Sequence, residues 1–207
     1  MYSRLQYISQ GISASDQLAN IASALEAGTN WIQLRFKSAS SELELLDVAV
    51  KARAMCNEYS ATFIVNDHPH IAKKVFADGV HLGLKDMRVE ECRKIVGDII
   101  IGGTANTFVD ILQRVDEGCN YIGVGPYRYT TTKENLSPVI GLEGYKVIMD
   151  SCKASNVAIP IYAVGGIQFD DITELIQAGV YGIAASGLIT NHPDKKGLLQ
   201  NINALLT

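Results

Sequence analysis

The chain contains one clear strand–helix–strand unit, Ile159-Pro-Ile-Tyr-Ala-Val-Gly-Gly-Ile-Gln-Phe-Asp-Asp-Ile-Thr-Glu-Leu-Ile-Gln-Ala-Gly-Val-Tyr-Gly-Ile-Ala-Ala-Ser186. Its two ends, Ile159–Gly165 and Gly182–Ser186, are short apolar runs that predict strands. The middle has apolar residues at helical spacing before a glycine that predicts the helix end: Ile172, Leu175, Ile176 and Gly179. A helix between two apolar strands is typical of a parallel sheet.

The same unit repeats along the chain. Six further strands are predicted upstream: Leu5–Ser9, Trp31–Lys37, Thr62–Asp67, Gly79–Gly83, Ile99–Gly103 and Tyr121–Gly125. A helix or helix-length segment follows each strand, and no linker-like stretch divides the chain. Eight such units predict an α/β fold, a single (β/α)8 TIM barrel over residues 1–207, because doubly wound open sheets usually have five or six strands.

Two of the predicted helices have additional signals. The first carries an apolar series followed by a glycine stop: Leu18, Ile21, Ala22, Leu25 and Gly28. In the second, Ser41 and Glu44 have the spacing of a capping box, and Leu43, Leu46 and Val50 form the apolar series.

Composition excludes several classes of protein. The 207 residues carry a net charge of −4 and are 47% hydrophobic, which argues against a nucleic-acid-binding surface and against disorder. No apolar run is long enough to span a membrane, and the first ten residues lack the pattern of a secretory signal. The cysteines have no metal-ligand or disulfide-like spacing, so we expect reduced thiols in a cytoplasmic protein: Cys56, Cys92, Cys119 and Cys152.

Cationic side chains follow the second strand. Because side chains alternate along a strand, Gln33, Arg35 and Lys37 are expected on one face, at the end where TIM barrels place their active sites. Arg and Lys together suit a phosphate group. The alternative is a solvated strand end paired with nearby acidic residues.

Acidic and amide side chains follow the next two strands. Asp67 and Asp86 are expected close enough to share a hard cation such as Mg²⁺, with Asn66 donating to the same phosphate oxygens. The alternative is that each aspartate caps the helix that follows it. His81 by itself is more typical of a hydrogen-bonded core histidine than of a catalytic group.

Further polar groups and glycines lie at the remaining strand ends. Thr104 follows strand five, in what could also be an ordinary turn, and the loop after strand six carries Thr130, Thr132 and Lys133. The glycine-rich ends of strands seven and eight predict a backbone phosphate site formed by Gly165, Gly166 and Ser186. The residues therefore predict two anion sites over one barrel.

Taken together, these segments resemble thiamine-phosphate synthases. The similar elements are QLRFK, VND, DGVHLGLKDM, IGGT, YIGVGP with TTTK, AVGGI and AASGLI, in family order over nearly the whole chain. The resemblance implies an enzyme that joins 4-amino-5-hydroxymethyl-2-methylpyrimidine diphosphate to a thiazole phosphate, with Mg²⁺, and releases diphosphate.

The resemblance also implies roles for individual residues. The diphosphate would contact Arg35, Lys37, Asn66, Thr104 and Lys133, of which Arg35, Lys37 and Lys133 would stabilise the leaving group. Asp67 and Asp86 would hold the magnesium, while Gln33 and His81 would face the pyrimidine. Thr130 and Thr132 would lie near the thiazole phosphate, with Gly165, Gly166 and Ser186 as its binding cup.

The sequence departs from the family pattern at Thr104, usually serine, and at Arg128-Tyr129, usually Phe-Pro. Two alternatives stay open: a thiazole tautomerase, disfavoured because the turn after strand five has no histidine, and a non-catalytic barrel that binds thiamine precursors. A homodimer is also expected from the fold, with Trp31, Tyr127 and Tyr129 as candidate contacts.

Overall fold

Eight parallel strands form a closed barrel in sequence order, with β1 paired to both β2 and β8, as the sequence predicts. This computed structural model describes residues 2–129 and 138–206. The strands are β1 Leu5–Ile8, β2 Trp31–Leu34, β3 Thr62–Asn66, β4 Gly79–Leu82, β5 Ile100–Ala105, β6 Tyr121–Val124, β7 Ile161–Val164 and β8 Gly182–Ala185.

A helix follows each strand, and two helices follow the last strand, β8. They are α1 Ala14–Glu26, α2 Glu42–Glu58, α3 Pro69–Lys74, α4 Val89–Val96, α5 Phe108–Asp116, α6 Gly141–Ala154, α7 Ile172–Gln177, α8 Gly187–Thr190 and α9 Lys195–Leu205, with a 3₁₀ turn at Phe169–Asp171. In the described part of the chain, no helix is long and apolar enough to cross a membrane.

The predicted strands are mostly a little too long. Strand β2 ends at Leu34, so Arg35 and Lys37 lie in the loop beyond it and the alternation argument holds only for Gln33. Strand β5, in contrast, continues to Ala105 and therefore includes Thr104. These differences matter because they decide which polar side chains point into the barrel and which lie above it.

Helix α2 packs only in part on the expected face, since Leu46 contacts the core whereas Leu43 and Val50 do not. Leu43 is 75% exposed and Val50 is 52% exposed. The buried face is formed instead by Leu45, Val48, Ala49, Ala52 and Cys56. This second series also has helical spacing, so the apolar periodicity alone could not choose between the two faces.

The capping box at the start of α2 is only half formed. Ser41 accepts a hydrogen bond from the Glu44 N–H at 3.1 Å, as predicted. The Glu44 carboxylate, however, accepts from the backbone N–H and hydroxyl of Ser40 rather than from Ser41. Complete reciprocal boxes occur at α1, between Ser13 and Asp16, and at α5, between Thr107 and Asp110.

Two of the three aromatic residues considered for a dimer contact lie inside the protomer. Trp31 is buried at the amino-terminal end of the barrel interior, and Tyr127 packs in the main core. Only Tyr129 remains exposed, at 70%. All four cysteines are buried and free, as expected for reduced core thiols.

Candidate active site

Most of the predicted site residues meet at the carboxyl ends of the strands, called here the upper end of the barrel. The structure describes Gln33, Arg35, Lys37, Asn66, Asp67, His81, Asp86, Thr104, Gly165, Gly166 and Ser186. Thr130, Thr132 and Lys133 lie outside the described residues.

The two cations after β2 both face Asp67. The Lys37 ammonium forms an ion pair with the Asp67 carboxylate. Burial lowers the pKa of Arg35, while the charge of Asp67 acts in the opposite direction. The Arg35 loop is held at its base, where the Arg35 N–H donates to the Ser9 hydroxyl at 2.9 Å. The pairing with an acidic residue that was the alternative for this strand end is therefore present for Lys37, and the anion site stays a prediction.

Asp67 and Asp86 are brought together although they follow different strands. The Asp67 N–H donates to the His81 carbonyl at 2.8 Å, and its backbone adopts a positive φ of 63°. The Asp86 carboxylate accepts from the Gly83 N–H at 2.6 Å. Neither aspartate caps a helix: α3 begins after His68 and α4 after Arg88, and neither cap residue makes a side-chain cap bond. The capping alternative is thereby removed for both residues.

The two carboxyl groups lie close enough to influence each other's ionisation. Burial raises the pKa of Asp86, and its contact with Asp67 raises it further. Burial also opposes ionisation of Asp67, but the neighbouring Asp86 and the hydrogen bond from Lys37 outweigh it and lower the pKa of Asp67. When two carboxyl groups lie together, the negative charge of one raises the pKa of the other, and a cation bound between them removes this effect. Their donor set is the kind that Mg²⁺ takes, one or two carboxylates completed by phosphate oxygens and water.

No cluster of three or more metal-ligating His, Cys, Asp or Glu side chains occurs within residues 2–129 and 138–206. A magnesium ion held by two carboxylates and substrate oxygens does not require one. The residues present therefore fit a cation that arrives with a phosphorylated ligand.

Inside the barrel, below the cations, five side chains form a continuous hydrogen-bonded chain. It runs through Gln33, Gln6, Tyr121, His81 and Thr104. Both ring nitrogens of His81 have protein partners, Tyr121 and Thr104, each at 3.0 Å. His81 is therefore a hydrogen-bonded interior histidine, and it lies against a predicted ligand-binding residue.

Gln6 and Tyr121 were not predicted as site residues. Each stands in a short strand among apolar neighbours, where a polar side chain at an inward-facing position is the available signal. The identity of their partners could not be derived from the sequence, because those partners come from β2 and β4.

The end of β7 is held by backbone contacts with the loop after β6, and the end of β8 contacts the loop after β1. The positive φ angles of Gly165 and Gly166, 96° and 69°, favour glycine, and a Cβ on Gly165 would lie 2.8 Å from Pro126. The Ser186 hydroxyl donates to the Gln10 amide oxygen at 2.9 Å. The Ile189 N–H closes the first turn of α8 on the Ser186 carbonyl, so the N–H groups that precede it have no acceptor within that helix.

Arg128, one of the departures from the family pattern, ties this loop down. Its guanidinium donates to both carboxylate oxygens of Asp171, at 2.7 and 2.9 Å, and to the Gly166 carbonyl at 2.9 Å. It also lies over the Tyr127 ring, 5.1 Å from its centre. The arginine thus connects the loop after β6 to the predicted phosphate cup.

Comparisons with known proteins agree with this architecture. Residues 5–189 match the family model described as thiamine monophosphate synthase. A thiamine-phosphate synthase from Flavobacterium psychrophilum is 53% identical over 207 residues, 100% of both chains. One from Pyrococcus horikoshii is 34% identical over 92% of this chain and 88% of its own.

Among solved structures, the thiamine phosphate pyrophosphorylase from Pyrococcus furiosus superposes with a TM-score of 0.84 at 30% identity, covering 98% of this chain and 95% of that one. A 3-hexulose-6-phosphate synthase, at 14% identity and a TM-score of 0.73, shares the fold alone. Because the family match extends from β1 through β8 and includes every strand end that forms the upper rim, the chain belongs to the thiamine-phosphate synthase family, transferases of thiamine biosynthesis.

Proposed function

We propose that this enzyme joins 4-amino-5-hydroxymethyl-2-methylpyrimidine diphosphate to a thiazole phosphate, with release of diphosphate. The observation that carries the proposal is the contact between Asp67 and Asp86 directly beside the Lys37 ammonium. A monophosphate alone would not require two carboxylates among its ligands. A diphosphate that arrives with a divalent cation does.

The cationic side of the rim supports a role in holding the leaving group. Arg35 stays charged despite its burial, because a guanidinium is not deprotonated in proteins, and it can bind a phosphate through two N–H groups. Lys37 adds a mobile charge whose present partner, Asp67, would turn to the metal when the diphosphate binds. Lys133, outside the described residues, is proposed as a third cation, and Asn66 and Thr104 as neutral donors.

Asp67 and Asp86 would hold Mg²⁺, whose charge stabilises the diphosphate as negative charge develops on it. A bound cation would favour the ionised form of both carboxyl groups. The Asp86 side chain keeps its hydrogen bond from the Gly83 N–H, which orients it toward Asp67. The two aspartates therefore act as a preorganised cation ligand rather than as a general acid and base.

The bond changes need no protein nucleophile. The bond between the pyrimidine methylene and the diphosphate oxygen breaks, and its electron pair leaves with the diphosphate. The thiazole ring nitrogen supplies the electron pair of the new carbon–nitrogen bond. The buried thiols are poor candidates for a covalent route, because burial raises the pKa of Cys56 to about 12 and that of Cys92 and Cys119 to about 11.

The thiazole phosphate is proposed to bind on the opposite side of the mouth, in the cup of Gly165, Gly166 and Ser186. Backbone N–H groups and the start of α8 provide donors there without a full positive charge. Thr130 and Thr132 are proposed to complete the cup. The Gln33 amide, inside the barrel between the two anion sites, is proposed to contact the aminopyrimidine, with His81 beside it.

The test is an assay of diphosphate release in which the pyrimidine diphosphate, the thiazole phosphate and Mg²⁺ are each omitted in turn. We expect release only when all three are present, with thiamine phosphate formed in equal amount. Conversion of a carboxylated thiazole tautomer without diphosphate release would instead identify a thiazole tautomerase. Binding of the phosphates with no conversion of either kind would identify a non-catalytic binder.

Two further proposals concern the setting of the enzyme. We infer a cytoplasmic location, since four free buried thiols suit a reducing compartment. We also infer a homodimer, for which Tyr129 is the remaining candidate contact among the three aromatics considered. Sedimentation of the purified protein would test the second point.

A further inference from the structure

The hydrogen-bonded chain inside the barrel has a direction. Gln33 Nε2 donates to Gln6 Oε1 at 2.9 Å, and Gln6 Nε2 donates to the Tyr121 hydroxyl at 3.2 Å. The Tyr121 hydroxyl lies 3.0 Å from His81 Nδ1, and His81 Nε2 lies 3.0 Å from the Thr104 hydroxyl. The chain therefore connects Gln33, proposed to face the heterocycle, with Thr104, proposed to face the diphosphate.

The direction follows from the number of protons at each group. With the amides oriented in this way, the Tyr121 hydroxyl accepts from Gln6 and directs its single proton to His81 Nδ1. A neutral imidazole carries one N–H, which then lies on Nε2 and is donated to Thr104. The proton of the Thr104 hydroxyl has no role within the chain and is left for a ligand.

The reverse direction is also self-consistent. If Thr104 donates to His81 Nε2, then Nδ1 donates to Tyr121, Tyr121 to Gln6, and Gln6 to Gln33, with both amides turned over. Thr104 would then offer a ligand only lone pairs, and Gln33 would offer an N–H group. The donor or acceptor character of Gln33 is thus linked to that of Thr104.

We propose that Tyr121 and Gln6 are positioning residues that couple the two ends of this chain, so that an anion at Thr104 makes Gln33 present its carbonyl oxygen to the heterocycle. This inference rests on the proposed function and deepens it. A phosphate oxygen only accepts hydrogen bonds, and it therefore favours the direction in which Thr104 donates. Gln33 then selects a heterocycle that carries an amino group over one that carries an oxo group at the same position.

The surroundings of Tyr121 hold it in one place. Its side chain is 1% exposed and contacts the rings of Trp31 and Tyr162 edge-to-face, with ring centres 5.1 and 5.6 Å away. A Cβ on Gly102, its neighbour on β5, would overlap the Tyr121 ring. Burial also raises the pKa of Tyr121 far above its ordinary value, so the hydroxyl keeps its proton.

The first experiment compares Tyr121→Phe with Tyr162→Phe. Tyr162 is a matched control because it belongs to the same aromatic cluster, while its hydroxyl donates to the Ser3 carbonyl at 2.6 Å, outside the chain. The readout is the ratio of kcat/KM for the 4-amino pyrimidine diphosphate to that for its 4-oxo analogue. We expect Tyr121→Phe to lower this ratio at least about tenfold, and Tyr162→Phe to change it less than about twofold.

An unchanged ratio in Tyr121→Phe would overturn the proposal. An equal loss in both variants would also overturn it, because the effect would then come from ring packing. Gln6→Leu gives an independent break in the chain and is expected to lower the ratio in the same way. Urea unfolding of each variant identifies any that fail to fold.

The second experiment needs no turnover. The ¹⁵N shifts of the His81 ring are recorded with inorganic diphosphate and Mg²⁺, and the signal is assigned by its absence in His81→Asn. We expect the His81 ring to be in the Nε2–H tautomer in the complex. In Tyr121→Phe, we expect the ring to lose its preference for this tautomer. The Nδ1–H tautomer in the complex would overturn the coupling, as would a failure of diphosphate to bind.

The two experiments separate this inference from the proposed function. If diphosphate sets the His81 tautomer but no synthase activity is found, the coupling stands and the proposed function fails. If activity is present and the tautomer does not respond, the proposed function stands and the coupling is wrong.

Discussion

The lower and upper halves of the barrel interior are built from different chemistry. In the lower half, at the amino ends of the strands, Trp31, Tyr121 and Tyr162 pack edge-to-face with ring centres 5.1–5.6 Å apart. In the upper half, amide, imidazole and hydroxyl groups hydrogen-bond across the same space. Tyr121 belongs to both, with its ring in the lower half and its hydroxyl in the upper half.

The difference extends to how well polar atoms are satisfied. Among the described residues, the buried side-chain atoms without a hydrogen-bond partner are Thr29 Oγ1 and Trp31 Nε1, both at the lower end. A buried donor without a partner costs stability, so ring packing must offset that cost in the lower half. The upper half keeps its polar groups paired, and these are the groups available to a ligand. One barrel thus separates stability from binding along its axis.

The largest effect is expected from Asp67 at the upper rim. Asp67→Ala removes one carboxylate of the proposed cation site and the partner of Lys37, so kcat/KM for diphosphate release should fall by about 10³-fold. Binding of thiazole phosphate, measured by calorimetry, should change less than about threefold. Asp47→Ala is the control, because Asp47 forms an exposed pair with Lys51 on α2. An Asp67→Ala enzyme that keeps a tenth of its activity would show that the metal assignment is wrong.

The next effect is expected from Trp31 in the lower half, and on stability alone. Trp31→Leu leaves part of the ring volume empty and should lower the free energy of unfolding by about 2–3 kcal/mol in urea. The KM values of the folded enzyme should stay within about threefold. Leu43→Ala, at an exposed position of α2, should change stability by less than about 0.5 kcal/mol. A large loss of affinity in Trp31→Leu would contradict the division between the two halves.

Two arginines at opposite ends of the barrel test whether the upper half serves binding and the lower half stability. Arg128→Ala at the upper end frees Gly166 and should raise the KM for thiazole phosphate about fivefold, a loss of about 1 kcal/mol for a half-exposed group. At the lower end, Arg53 forms an ion pair with Asp78 at 2.6 Å. Arg53→Ala should therefore change stability and leave the KM values unchanged. Steady-state kinetics and urea unfolding of both variants measure the two effects. Equal changes of KM would refute the assignment of the cup to the upper end.

The smallest effect is expected from Asp171 in acid. Burial opposes its ionisation, but the bonds from Arg128 and the Gln168 N–H outweigh it and lower the pKa of Asp171 below its ordinary value. A carboxyl group whose pKa is lower in the folded chain than in the unfolded chain stabilises the fold at pH values above its unfolded pKa, about 3.9. This stabilisation is lost as the pH falls through the pKa of the folded chain. Asp171→Asn should therefore reduce the loss of unfolding free energy that occurs as the pH falls into the acid range, by less than about 1 kcal/mol. Urea unfolding at a series of pH values measures this loss. Asp170→Asn, at the adjacent carboxylate, is the control and should leave this loss of unfolding free energy unchanged.

Much of the fold could be predicted because its signals are local. Each strand is a short apolar run bounded by glycine or polar residues, and eight of them in order are enough to indicate a barrel. The helix ends at Gly28 and Gly179 follow from the left-handed backbone that glycine favours, with φ of 109° and 102°. The buried face of α2 could not be predicted, since two apolar series with helical spacing compete there and only the neighbouring strands decide between them.

The candidate site could be predicted in part for the same reason. Asp67 and Asp86 were expected to be neighbours, because parallel strands bring their carboxyl ends together. The expected positions of Arg35 and Lys37 inside the strand were wrong, since β2 ends at Leu34. Gln6 and Tyr121 were missed because a polar residue in a strand becomes functional only through its partners on other strands.

The sequence by itself determined the order of eight strand–helix units, the rim of acidic and basic residues, and the glycines at the ends of β7 and β8. These depend on periodicity and on backbone conformation, which act between residues close along the chain. The tertiary structure alone decided that Tyr121 meets Gln6 and His81, residues 115 and 40 positions away, and that Arg128 meets Asp171. Barrel closure sets those distances, because the stagger between all eight strands determines which side chains face one another across the interior.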